Sequence, residues 1–248
     1  PTGFSGLDRV LVGLGKSDLV LVGARPGMGK TSFAVNLATY AAANTKKSVC
    51  IFSLEMSAEQ LITRVMSSEA LIDSYRLRSG ELTDEDWDKL AHAASRLSEC
   101  DILIDDTTGI TVTGMKAKLR RVKNLGLVVI DYLGLMKSDE KTDNRQNEVA
   151  DIYRQLKILA KEIEVPVLSL CQLNRSVESR DTKDGKPAKP MLSDLRDSGS
   201  IEQDADMVWF IHRDMTAKEI ATTLHISQNT VKSRLRLAKE KLRKKRLA

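Results

Sequence analysis

The chain has 248 residues, 42% of them hydrophobic, and carries 39 Lys or Arg against 34 Asp or Glu, a formal net charge of +5. That length suits one α/β domain with a small appendage, and three widely separated cysteines in or beside apolar runs, Cys50, Cys100 and Cys171, suit buried thiols in a reducing compartment rather than a disulfide framework or a metal site. Apolar runs such as 125–135 fall short of the roughly 20 residues that span a bilayer, and no basic segment followed by an apolar one opens the sequence, so a soluble, unexported, cytoplasmic protein without membrane contact is expected.

Taken in chain order, the first β-rich run, Asp18 to Gly23, leads into Gly23-Ala24-Arg25-Pro26-Gly27-Met28-Gly29-Lys30-Thr31, with a helix expected to begin near Thr31 and Ser32. This is a P-loop in its required strand-loop-helix setting. Glycines let backbone N–H groups close around phosphate, the helix N-terminus adds positive potential, Lys30 reaches the terminal phosphates and Thr31 ligates Mg²⁺. Ala24 stands where the common pattern has Gly, which still leaves no bulky side chain there. ATP with Mg²⁺ is the implied ligand.

The run Ser48 to Leu54 is the second expected strand, and Glu55 follows it directly. Its carboxylate could polarise an attacking water, or could simply favour the start of the helix announced by the capping pattern Ser57-Ala58-Glu59-Gln60. Further strands are expected at Asp101 to Asp105, Gly126 to Asp131, Pro166 to Cys171 and Met207 to Ile211; their continuous apolar character implies burial on both faces and a mainly parallel sheet. Asp131 ends a buried strand in a carboxylate, as a Walker B strand requires, but Asp105 and Asp106 end another in the same way. Gln172, just past its strand, could sense a γ-phosphate or be an ordinary loop residue. Val149, Ile152, Tyr153, Leu156, Ala160 and Ile163 repeat at three- and four-residue spacing and predict a helix packed on the sheet. The polar segments Lys137 to Asn147 and Asn174 to Ser193 both follow strands, at the sheet edge where ligands collect.

In order, Gly23 to Thr31, Phe52-Ser-Leu-Glu-Met56, Asp131-Tyr-Leu-Gly-Leu-Met136, Gln172-Leu-Asn-Arg175 and Ser193-Asp-Leu-Arg-Asp-Ser-Gly-Ser-Ile-Glu-Gln-Asp-Ala-Asp206 resemble the C-terminal motor domain of the DnaB family of hexameric replicative DNA helicases, over about residues 1 to 213. The resemblance implies a RecA-like P-loop NTPase fold and an ATP-dependent helicase that assembles as a homo-oligomeric ring and translocates on single-stranded DNA. It implies Lys30 and Thr31 on phosphate and Mg²⁺, Glu55 as catalytic base, Asp131 as Walker B and Gln172 as γ-phosphate sensor. Arg196, Gly199 and Glu202 fall in or near the loop that grips single-stranded DNA. Family members carry an N-terminal collar that binds primase before the equivalent of residue 1. They usually have Gln where this chain has Gly134, and they continue after Arg213 into strands and a basic loop that supplies an arginine finger to the neighbouring subunit.

Residues 213–248 read differently: 11 Lys or Arg against 3 Asp or Glu give a net of +8, which leaves residues 1–212 at −3. Thr216 and Glu219 predict the cap of a helix ending near Leu224, and Ser227 the cap of a second running from Gln228 to about Lys244, with Ile220, Ala221, Leu224, Ile226, Val231 and Leu235 between them. This segment resembles the helix-turn-helix of LuxR-type regulators and of region four of sigma factors. By that resemblance Asn229, Thr230, Lys232, Ser233 and Arg236 would face the major groove or its phosphates. An ATP-gated transcription regulator binding duplex DNA is therefore the alternative expectation.

Overall fold

In a computed structural model the described residues are 1–11, 13–139, 145–173, 189–195 and 204–212. Among them six strands, β1 (Leu19–Ala24), β2 (Ser48–Ser53), β3 (Ile102–Asp105), β4 (Leu125–Asp131), β5 (Val167–Gln172) and β6 (Met207–Ile211), form one sheet in the order β3-β2-β4-β5-β1-β6, every pair parallel. The helices that accompany them are α1 (Ser5–Leu11), α2 (Lys30–Thr45), α3 (Ala58–Ala70), α4 (Ser74–Ser79), α5 (Asp84–Ser98), α6 (Val112–Leu119) and α7 (Arg145–Ile163).

The central apolar runs, β1, β2, β4 and β5, become strands because helices keep most of both faces from water, while the edge strands β3 and β6 are half-buried and Leu103 is 43% exposed. On one face Val20, Val22, Val49, Ile51, Leu127, Val129, Leu168 and Leu170 form a core with Ala34, Val35, Leu37, Ala38 and Ala42 of α2. Alanines at three of those five α2 positions favour helix and let its backbone approach the sheet closely. The opposite face carries Leu19, Leu21, Val167 and Cys171, and α7 covers it with Val149, Ile152, Tyr153, Leu156 and Leu159; a hydrogen bond joins Tyr153 to Cys171.

Several expectations shift by a residue or more. β1 runs from Leu19 rather than Asp18, whose carboxylate instead accepts the Gly15 N–H at 2.6 Å. The P-loop helix begins at Lys30, not at Thr31. Gln172 is the last residue of β5, in register with Ala24, rather than a residue beyond the strand. The polar stretch from Lys137 is partly helical, since Arg145 to Asn147 form the first turn of α7, and Ser138 is tied down by its N–H to Glu148 at 3.2 Å. Cys100 is half-buried rather than buried. Helix α3 has the expected capping box from Ser57 and Gln60. Helices α3, α4 and α5 enclose a small separate core of Ala70, Ile72, Leu90 and Ala93, and α5 has a capping box of its own from Thr83 and Asp86. Asp86 is held below the usual carboxylate range by the Thr83 backbone N–H, with Arg76 as its ion-pair partner.

Asp206 fixes where β6 joins the sheet. Its carboxylate accepts the Leu19 N–H at 2.7 Å and Lys157 Nζ at 2.5 Å, and its own N–H donates to Leu19 O at 3.0 Å. Burial raises the carboxyl's pKa, but the Lys157 and Leu19 hydrogen bonds and the charges of Lys157 and Lys161 outweigh it, so the net shift is downward. Asp206→Ala should therefore lower unfolding free energy by about 1–2 kcal/mol, because Leu19, with no exposure, loses its N–H partner. A carboxylate with a depressed folded-state pKa stabilises above its unfolded value, and that contribution disappears as pH falls through the folded one. Urea midpoints of the two proteins should accordingly differ most at neutral pH and converge in acid; a gap that held constant with pH would mean the charge is irrelevant.

Candidate functional site

The C-terminal ends of four neighbouring strands bring the candidate residues to one edge. In sheet order these are β2, followed two residues on by exposed Glu55; β4, ending at Asp131; β5, ending at Gln172; and β1, which opens into the P-loop. Ser53 is in register with Asp131, and Ala24 with Gln172. The Leu54 N–H donates to Asp131 O at 2.6 Å and the Leu173 N–H to Ala24 O at 3.1 Å, so each connection leaves the sheet already tied to its neighbour.

Within the P-loop, Ala24 is buried, Arg25 and Met28 are half-buried, and Pro26 and Gly27 face solvent. The Met28 N–H turns back to Arg25 O at 3.3 Å. Gly27 and Gly29 have φ of 75° and 91°, the left-handed region that favours glycine, and a Cβ built on Gly27 would meet nothing within 4 Å. The loop thus curves around open space, with Gly29 as the N-cap of α2, Lys30 as its first residue, and Thr31 and exposed Ser32 next.

Asp131, 3% exposed, is where the site converges. Thr31 Oγ1 donates to its Oδ2 at 2.6 Å, and Lys30 Nζ lies 3.7 Å from its Oδ1, beyond hydrogen-bond range. Oδ1 is buried with no hydrogen-bond partner among the described residues. A buried, unpartnered carboxylate oxygen beside a threonine hydroxyl is a hard-oxygen pair that suits Mg²⁺. The other strand-end carboxylates go elsewhere: Asp105 pairs with Lys118 at 2.5 Å, and Asp106 accepts the Ala58 N–H at 2.9 Å at the start of α3. Cys171, next to Gln172, is pushed up to about 12 by burial, against the opposing influence of Lys30 and a Tyr153 hydrogen bond, so its thiol stays protonated and is no nucleophile.

One neighbour was not foreseen from sequence. The Tyr132 ring lies under the Lys30 ammonium, 4.5 Å from centroid to Nζ, and the Asp131–Tyr132 peptide bond is cis. No periodicity or spacing signals that contact. A second is the aromatic cluster in which Phe4 stacks on Phe33 of α2 (4.8 Å) and Phe33 meets Trp209 of β6 edge-on (6.2 Å), which holds the N-terminal segment against the P-loop helix. Arg196, Gly199 and Glu202, and Asn229, Thr230, Lys232, Ser233 and Arg236, lie outside the described residues. Leu195, immediately before Arg196, is buried and forms an antiparallel bridge with Leu173, the residue after Gln172.

Comparison with known proteins agrees with this geometry. The DnaB-like helicase C terminal domain family matches residues 1–246. The chain is 53% identical over 218 residues to the replicative DNA helicase DnaB of Geobacillus stearothermophilus, and 52% identical over 218 residues to the replicative DNA helicase DnaC of Bacillus subtilis (strain 168). Each alignment covers 86% of this chain but 47% of the relative, so the chain spans about half the length of these curated relatives. Among solved structures, a DnaB-like replicative helicase described with its interactions with primase superposes with a TM-score of 0.80 at 38% identity, over 86% of this chain and 51% of that one. A separately solved ATPase domain also superposes with a TM-score of 0.80, at 38% identity, over 86% of this chain and 75% of that one. Among the described residues no helix is long and apolar enough to cross a membrane. With an all-parallel sheet covered by helices on both faces, a P-loop after β1 and a carboxylate ending β4, the chain belongs to the DnaB-like helicase C-terminal domain family and is RecA-like in fold.

Proposed function

We propose that this chain is the ATP-hydrolysing motor of a replicative DNA helicase, acting in the cytoplasm as a homo-oligomeric ring, hexameric as in the family it resembles, with single-stranded DNA as its track. The observation that carries this is the convergence of the P-loop, Asp131, Gln172 and Glu55 on the ends of four adjacent strands, with Thr31 bonded to Asp131. Lys30 and the P-loop N–H groups would bind the phosphates of ATP; Thr31 and Asp131 would hold Mg²⁺, in part through water. Bound there, the ion neutralises phosphate charge. Exposed Glu55, at the mouth of the same edge, would orient and deprotonate water, and Gln172 would sense the terminal phosphate through its amide. Arg196, Gly199 and Glu202 would contact the DNA strand. ATPase assays with single-stranded DNA, duplex DNA and none test this: stimulation by single strands is expected, and stimulation by duplex alone would sink it.

The +8 charge of residues 213–248 supports a further part of the proposal, that this segment is a helix-turn-helix adding affinity for duplex DNA through Asn229, Thr230, Lys232, Ser233 and Arg236. The segment serves the helicase; the family relationship leaves no support for a stand-alone transcription regulator. Residues 1–212 are net acidic, so deleting 214–248 should remove most salt-sensitive duplex binding, the slope of log affinity against log salt falling by roughly one for each phosphate no longer neutralised. Single-strand binding should survive that deletion and should weaken instead in Arg196→Ala. Titrations of both variants on both DNA forms decide the matter; duplex binding untouched by the deletion would rule the element out.

A further inference from the structure

We propose that Tyr132 is the positioning residue for Lys30, and that Gly134 makes room for it, an inference that rests on the nucleotide-site reading above. Lys30 is the cation meant for the terminal phosphates, yet its ion-pair partner among the described residues, Asp131 Oδ1, is 3.7 Å away, too far to fix the end of a four-carbon stem. What lies under the ammonium is the Tyr132 ring, 4.5 Å from centroid to Nζ. The negative face of an aromatic ring attracts an ammonium most strongly where water is scarce, and the Lys30 side chain is only 13% exposed. Holding it there before nucleotide arrives removes rotamer entropy that binding would otherwise have to overcome.

The backbone that carries the ring is tied down on both sides. The Leu135 N–H donates to Tyr132 O at 3.1 Å, closing the single 3-10 turn Leu133–Leu135. Arg145, paired with Glu148, donates to Gly134 O at 2.8 Å, so the first turn of α7 clamps the same turn. A Cβ on Gly134 would stand 2.6 Å from Tyr132 Cε2, closer than real Cβ atoms come, and a tight 3.2 Å from Cδ2. Any other residue at 134 must therefore displace the ring or the turn. Gly134 thus leaves to the ring the space it occupies beneath Lys30.

The test uses the full chain with ¹³C-labelled lysine, in which the Lys30 ε-methylene signal is identified by its loss in Lys30→Met. The ring should shift that signal upfield from those of exposed lysines. Tyr132→Phe, which keeps the ring, should preserve the shift and bind Mg·ATP about as well as the parent. Tyr132→Leu should abolish the shift and weaken Mg·ATP binding roughly threefold to tenfold, the scale of a partly desolvated cation–π contact. Gly134→Ala, which leaves the tyrosine in place but crowds it, should move the signal and weaken binding in the same direction, and it carries the test if the leucine variant fails to fold. An unshifted Lys30 signal in the parent, or equal losses of affinity in the Phe and Leu variants, would overturn the proposal. Failure of the nucleotide-site reading looks different: Lys30→Met would then bind Mg·ATP like the parent while the ring-induced shift in the parent remained.

Discussion

Lys30→Ala is expected to reduce ATP hydrolysis to background, a loss of at least about two to three orders of magnitude, on the scale of removing one preorganised charge-stabilising group from an active site. Lys30 opens α2 with its side chain 13% exposed between Asp131 and Tyr132. Its removal leaves Asp131 still bonded to Thr31 at 2.6 Å, and the core beneath, from Ala34 to Ala42, is untouched. Thermal unfolding should therefore shift by only a few degrees while turnover vanishes, the combination that marks a functional rather than a structural charge. Steady-state ATPase rates together with melting curves check both halves. Turnover equal to the parent's would remove the P-loop from the chemistry altogether.

Glu55→Gln is expected to separate binding from hydrolysis. Glu55 is exposed, two residues beyond the end of β2, and among the described residues no hydrogen bond or ion pair engages its side chain. The amide keeps size and polarity but cannot take a proton, so hydrolysis should slow by about two to four orders of magnitude, as for loss of a general base. Affinity for Mg·ATP should stay within about twofold, and stability should not change, since neutral substitutions at exposed positions rarely matter by more than about 0.5 kcal/mol. Equilibrium binding of a fluorescent ATP analogue, set against single-turnover hydrolysis, provides the comparison. Binding and hydrolysis falling in parallel would make Glu55 a structural carboxylate at the approach to α3.

The strands were legible because each is a short apolar run, buried on both faces at the centre of the sheet and half-buried at its edges β3 and β6, and every one of the six lies within a residue or so of its expected limits. The P-loop was legible because its chemistry is local: glycines, a lysine and a threonine in a fixed order. What sequence left open was decided by contacts between distant segments. Asp105, Asp106 and Asp131 share one local pattern, and only the strand order separates them, since one strand stands between β4 and the P-loop strand while β3 lies at the far edge. Lys118, 13 residues after Asp105, claims that carboxylate for itself. Helices α4, α5 and α6 go unmarked by periodicity although Thr83 and Asp86 form a capping box and Thr111 caps the start of α6; their apolar stripes are narrow, two buried apolar residues on α5 and none on α4. The Tyr132 contact with Lys30 joins residues about 100 positions apart and left no trace in periodicity at all.

The position of β1 has a consequence for how the chain comes off the ribosome. Among the described strands it is the first made, yet both of its neighbours in the sheet, β5 and β6, are the last two, and Leu19 waits 187 residues for Asp206. At about 5–20 residues per second, the nascent Leu-Val-Leu-Val stretch stays without a partner on either edge for on the order of ten seconds. For that interval two open edges of a strongly apolar strand are available to other chains, so the element that organises the nucleotide site is also the segment whose shielding during synthesis matters most.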